Sequence, residues 1–135
     1  MENREEFLTE IVRRVQKNLM RMTEIERLTK ELSDTLSRSD QQSMEILLRM
    51  RKDELDGIFS TREEIRMLVQ AMDPEGKREV EALFSGEGRP DPEDFLAKRI
   101  MDLNRQMLQI RERTVAIDKR VSTKLAGENS YYQNQ

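Results

Sequence analysis

Residues 96–121, LAKRIMDLNRQMLQIRERTVAIDKRV, decide the fold. Leu96, Ile100, Leu103, Met107, Ile110, Ile117 and Val121 follow one another at three- and four-residue steps, and Thr114 is the polar member of the series. Side chains spaced in this way fall on one narrow stripe of an α-helix, and a stripe of that length has to be covered by other helices. A protein built on such a seam does its work through helix surfaces.

The flanks of this stretch carry stop and start signals. Upstream, Asp91-Pro92-Glu93-Asp94 places Asp91 as an N-cap, proline at the first helical position and acids in the first turn, where exposed amide dipoles favour negative charge. Downstream, Lys119, Arg120 and Lys124 load the last turns with positive charge, and Gly127 stands where a left-handed C-cap residue belongs. The sequence thus predicts a last helix over about 92–126, closing a single helical-bundle domain over 1–127. The remaining ENSYYQNQ, 128–135, reads as a flexible polar tail around Tyr131 and Tyr132, an aromatic pair that would anchor it or meet a partner.

Working back toward the N-terminus, a first helix is expected over about 4–36. Leu8, Val12, Val15, Leu19 and Met22 lie on one seam and Ile25, Leu28, Leu32 and Leu36 on a shifted one, so the stripe is expected to rotate near Met22. The polar run SRSDQQS follows, with Ser39 or Asp40 placed to cap another helix; the competing possibility is helix without interruption. A second helix is expected over about 41–72, with Met44, Leu48, Leu55, Ile58, Ile65, Val69 and Met72 in series and Leu47 and Leu68 widening the face. Arg51 and Arg62 interrupt this seam, each readable as a stem lying along apolar surface or as one half of a buried ion pair. Gly57 costs about 1 kcal/mol relative to alanine inside a helix and would allow a close crossing or a bend. Asp73-Pro74 ends the helix, a short one follows over about 75–84, and SGEGRPD at 85–91 is a loop. The fold class is therefore all-α: an elongated antiparallel bundle of three long helices plus one short helix.

Composition agrees and narrows the function. Of 135 residues 36% are apolar and 38% charged, more surface than a compact sphere needs. The absence of cysteine and histidine removes disulfides, thiolate nucleophiles, the usual zinc ligand sets and the side chain that titrates nearest neutral pH. The expectation is a protein that is not an enzyme and has no metal or cofactor. Twenty-seven acidic and 24 basic side chains interleave as solvated helix faces, and a net charge of −3 argues against a general nucleic-acid binder. The opening MENREEF has acids where a targeting peptide needs positive charge, and no apolar run approaches a membrane span, so a cytoplasmic protein without membrane insertion is expected.

Surplus apolar surface points to a partner. Met101, Leu108 and Val115 form a second row on the last helix, spaced by sevens, while Phe59 and Met67 lie off the main line of the second helix. These five widen the apolar face beyond what one neighbouring helix covers. They are the candidate partner-binding residues, forming a groove for a partner's amphipathic helix unless a further helix of the bundle covers them; nine methionines suit a surface that repacks around its ligand.

The order of features over residues 25–127 resembles the small flagellar export chaperones of the FliT and FlgN type, the FliT-like proteins of Gram-positive bacteria in particular. The segments that carry the resemblance are IERLTKELSDTLSRSDQQSMEILLRMRKDELDGI, 25–58, with Leu47-Leu48 followed by Arg51 and Glu54, and IMDLNRQMLQIRERTVAIDKRVSTKLAG, 100–127. The resemblance implies a cytoplasmic chaperone without catalytic residues. Its partners would be a flagellar axial subunit, such as the filament cap or a hook–filament junction protein, and the export apparatus. The client's terminal amphipathic helix would dock between chaperone helices, with Met101, Leu108 and Val115 as the contact row. The segment from Pro74 to Asp91 has no counterpart in that pattern and reads as a lid or a long connection. The alternative class is a structural coiled coil, a homodimer or scaffold subunit whose seam is closed by self-association.

Overall fold

The computed structural model describes the backbone of residues 2–133 and the side chains of 3–124. It contains helices α1 (Glu2–Ser37), α2 (Gln41–Gln70), α3 (Pro74–Ser85) and α4 (Phe95–Gln133). The start of α1 shares a core with the end of α2 and the start of α4, and the end of α1 with the start of α2 and the later part of α4. Consecutive long helices therefore run in opposite directions, and α1 lies between the other two. It packs along both α2 and α4, whereas α2 and α4 make far less contact with each other.

The chain turns where local chemistry demands it. Ser39 adopts φ 56°, and the Asp40 carboxylate accepts from the backbone N–H of Ser43 at 3.1 Å, so residues 38–40 form a turn and cap α2. Asp73 caps α3 by accepting from Gly76 N–H at 2.7 Å, with Pro74 at the first helical position. Before it, α2 stops at Gln70, two residues short of its predicted end. Gly86 closes α3 with φ 82°, a left-handed conformation that a side chain would strain.

Both ends of α4 differ from expectation. Asp91 does not cap the helix: its carboxylate accepts from Glu93 N–H at 2.9 Å and its carbonyl from Asp94 N–H at 2.9 Å, forming a turn. Asp94 is the cap, accepting from Ala97 N–H at 3.2 Å, and Arg4 of α1 holds the same carboxylate at 2.7 Å. The helix also passes through Gly127 and runs to Gln133. A single glycine costs a helix about 1 kcal/mol and, with no proline after it, does not end it. The predicted tail residues Asn134 and Gln135 lie outside the described residues, as do the side chains of Tyr131 and Tyr132.

The stripe on α1 is continuous through Met22, and past it the buried face widens to take in Glu26 and Thr35 beside the expected Ile25, Leu28, Leu32 and Leu36. Leu8, Ile11, Val15, Asn18, Met22, Ile25, Thr29, Leu32 and Leu36 are all buried at unbroken three- and four-residue steps. Asn18 and Thr29 fill seam positions, which makes the apolar pattern look broken. The seam of α2 is displaced from the expected one: Met44, Leu47, Ile58 and Thr61 are buried, and Leu48 and Leu55 are exposed. The hydroxyl of Thr29 donates to the Ile25 carbonyl at 2.7 Å, which lets a polar residue sit in the seam without an unsatisfied donor.

Three core clusters stack along the bundle. The lowest joins Leu8, Ile11 and Val15 of α1 to Val80 and Leu83 of α3 and Ala97, Ile100 and Leu103 of α4. The uppermost joins Leu28, Leu32 and Leu36 to Met44, Leu47 and Val121. The middle cluster is thin, with Met22, Ile25 and Ile58 buried and Met107 and Ile110 only partly so. The segment 74–91, open between lid and connection from sequence, supplies core through α3 and closes the lower end.

Candidate functional site

The thin middle cluster is the floor of an open groove of about 730 Å³ between α2 and α4. Its base comes from α1 through Val15, Asn18, Met22 and Ile25. One wall is α2, with Leu55, Ile58, Phe59 and Ile65, and the facing wall is α4, with Met107, Leu108, Thr114 and Val115. Phe59, Leu108 and Val115 are 61%, 41% and 42% exposed, large side chains that a solvated helix gains nothing by presenting together.

Polar bonds close both ends. At the upper end Arg51 crosses from α2 to Asp118 of α4 at 2.7 Å and also donates to Thr29 of α1 at 3.3 Å, so this arginine is a bridging ion pair and not only a stem on apolar surface. At the lower end Asn104 of α4 donates to the Phe84 carbonyl at the end of α3, at 3.1 Å. Between Asn104 and Asp118, a rise of 1.5 Å per residue leaves a trough of about 21 Å, the length of a four-turn helix.

The other faces are clasped away from the trough. Arg21 of α1 donates to the Gly57 carbonyl at 2.8 Å and to the Thr61 hydroxyl at 2.5 Å. A Cβ on Gly57 would lie 2.6 Å from the Arg21 Nε, so glycine there admits an arginine rather than a bend. Arg113 of α4 donates to the buried Glu26 of α1 at 2.9 Å. That hydrogen bond holds the Glu26 carboxyl below the ordinary range against the opposing effect of burial. At the base, burial pushes the Asp94 carboxyl up, and the bonds from Arg4 and Ala97 outweigh it, leaving it lowered. Arg4 also binds Glu79, tying α1, α3 and the start of α4 together.

Charge is unevenly distributed in the groove. Arg51, Arg62, Arg66 and Arg111 line it, against Asp118 as the acid among its lining residues, although the chain carries a net charge of −3. Arg51 is bonded to Asp118 and Arg66 to Glu63, whereas Arg62 and Arg111 are exposed and make no ion pair among the described residues. Asn18, 2% exposed, has no hydrogen-bond partner for its Oδ1.

Of the five candidate partner-binding residues, Phe59, Leu108 and Val115 come together on the groove walls. Met101 packs against the lower core, and Met67 is exposed but lies outside the groove. Sequence reasoning missed Asn18, Met22, Leu55 and Arg111 as groove residues. Arg111 was findable, since it follows Met107 by four residues and Leu108 by three on the same helix face. No helix among the described residues is long and apolar enough to cross a membrane, and no group of three or more metal-ligating side chains occurs among them. No protein-family model matches the chain, and comparisons with curated proteins and with solved structures likewise return no match.

Proposed function

We propose that the protein is a cytoplasmic chaperone of the flagellar export type. It holds the amphipathic terminal helix of an axial subunit, a filament cap or hook–filament junction protein, until that subunit reaches the export apparatus. The observation that carries this reading is the trough between α2 and α4, floored by α1, closed at both ends and walled by exposed Phe59, Leu108 and Val115. Three helices here leave open the place that a fourth would fill in a bundle, above the lower part that α3 covers. A client helix laid in that place buries the apolar stripe by which it would otherwise assemble prematurely. Its binding rests on apolar burial and requires no covalent step, cofactor or metal.

The test is capture from the native cell lysate on the tagged full chain, with bound proteins identified by mass spectrometry, beside the variants Leu108→Glu and Val115→Glu. The expected result is one flagellar axial subunit, lost in both variants while their helicity is unchanged. Recovery of the chain alone would replace this proposal with a homo-oligomeric scaffold whose groove is closed by a second copy.

A further inference from the structure

We infer that the occupant of the groove is an acidic amphipathic helix of about four turns, whose apolar stripe is flanked on both sides by carboxylates. The inference rests on the groove being a helix-binding site and adds the chemistry of what it accepts. The position of the unpaired charges supports it. Because α2 and α4 run in opposite directions and are bridged by Arg51 and Asp118, equal steps from that bridge mark equal depths along the trough. Arg111 lies seven residues from Asp118 and is level with Ile58, seven residues from Arg51. Arg62 lies eleven residues from Arg51, level with Met107, which puts it about 6 Å, or one helical turn, deeper along the opposite wall. The two arginines thus stand on facing rims of the trough near its middle, one turn apart, over the apolar floor of Met22 and Ile25.

A helix seated on that floor presents its apolar stripe downward and the two rows beside the stripe to the two rims. Carboxylates in those rows meet guanidinium groups that have no acid of their own among the described residues. Lysines in the same rows would be set against Arg62, Arg66 and Arg111. The apolar floor provides affinity, and the rims select the sign of the flanking charge.

The experiment uses the full chain and two fluorescein-labelled peptides of about 16 residues with the same leucine stripe at helical spacing, one flanked by glutamate and one by lysine. Binding is read by fluorescence anisotropy at low salt, for the native chain and for the double variant Arg62→Gln/Arg111→Gln, whose helicity is checked by circular dichroism. The expected result is that the glutamate peptide binds about tenfold tighter than the lysine peptide and that the double variant loses this preference. Equal affinities, a preference for lysine, or a glutamate preference that survives in the variant would each overturn the inference while leaving the groove a helix-binding site. Failure of both peptides to bind would overturn the inference together with the proposed function.

Discussion

Leu103 and Leu108 lie five residues apart on α4 and so on different sides of the helix, the first in the core and the second on the groove wall, and truncating each to alanine should give very different losses. Leu103 is 2% exposed and sits among Ile11, Val80 and Ile100. Removing three carbon groups forfeits about 2.4 kcal/mol of transfer energy at roughly 0.8 kcal/mol each. A residual cavity of about 50 Å³ adds roughly 1.2 kcal/mol, for a total of about 3.5 kcal/mol. Leu108 is already 41% exposed and borders open space, so its transfer loss is smaller and no closed cavity remains. Its expected cost is about 1 to 1.5 kcal/mol. Urea unfolding followed by circular dichroism at 222 nm measures both, with the two losses compared at a common denaturant slope. Equal losses, or a larger loss for Leu108→Ala, would refute the division of α4 into core and groove.

Three further expectations follow from the polar contacts. Gly57→Ala, which ordinarily gains about 1 kcal/mol in a helix interior, should gain nothing in the native chain because the new Cβ displaces Arg21. The full gain should return in the Arg21→Ala background, and a double-mutant cycle showing no coupling would sink that account. Asn18→Leu should raise stability by about 1 to 2 kcal/mol by removing a buried acceptor without a partner, and a destabilised variant would mean that the amide is satisfied. With the Glu26 and Asp94 carboxyls lowered in the folded state, their contribution is present above the ordinary carboxylate range and is lost as pH falls through the lowered values. The thermal midpoint should therefore be level from about pH 6 to 8, where neither histidine nor cysteine titrates, and fall below about pH 4.5; a midpoint that rises on acidification would contradict these ion pairs.

The long helices were legible because leucine, isoleucine and methionine at helical spacing leave few alternatives, and the seam of α4 from Leu96 to Val121 can be read directly. The seam of α1 was less legible. Asn18 and Thr29 occupy buried positions there, and hydropathy cannot distinguish a buried threonine bonded to its own helix from a solvated one. The start of α4 was misplaced because Asp91 and Asp94 are equally good caps locally. Arg4, 90 residues away in sequence, is bonded to the second of them. The same limit applies to the groove. The exposure of Leu108 and Val115 depends on where α3 ends, and nothing local to α4 states that α3 covers only the lower part of the bundle.

The most direct test of the central claim, that a helix lies between α2 and α4, uses the chain's own methionines as reporters. Methyl-labelled protein is titrated with the glutamate-flanked peptide and followed by two-dimensional NMR. Met22 and Met107 line the groove, whereas Met20 and Met50 are exposed and lie outside it. The account predicts large saturable shifts of the Met22 and Met107 methyls with Met20 and Met50 unmoved. Shifts confined to Met20 and Met50, or no shifts at saturating peptide, would contradict it.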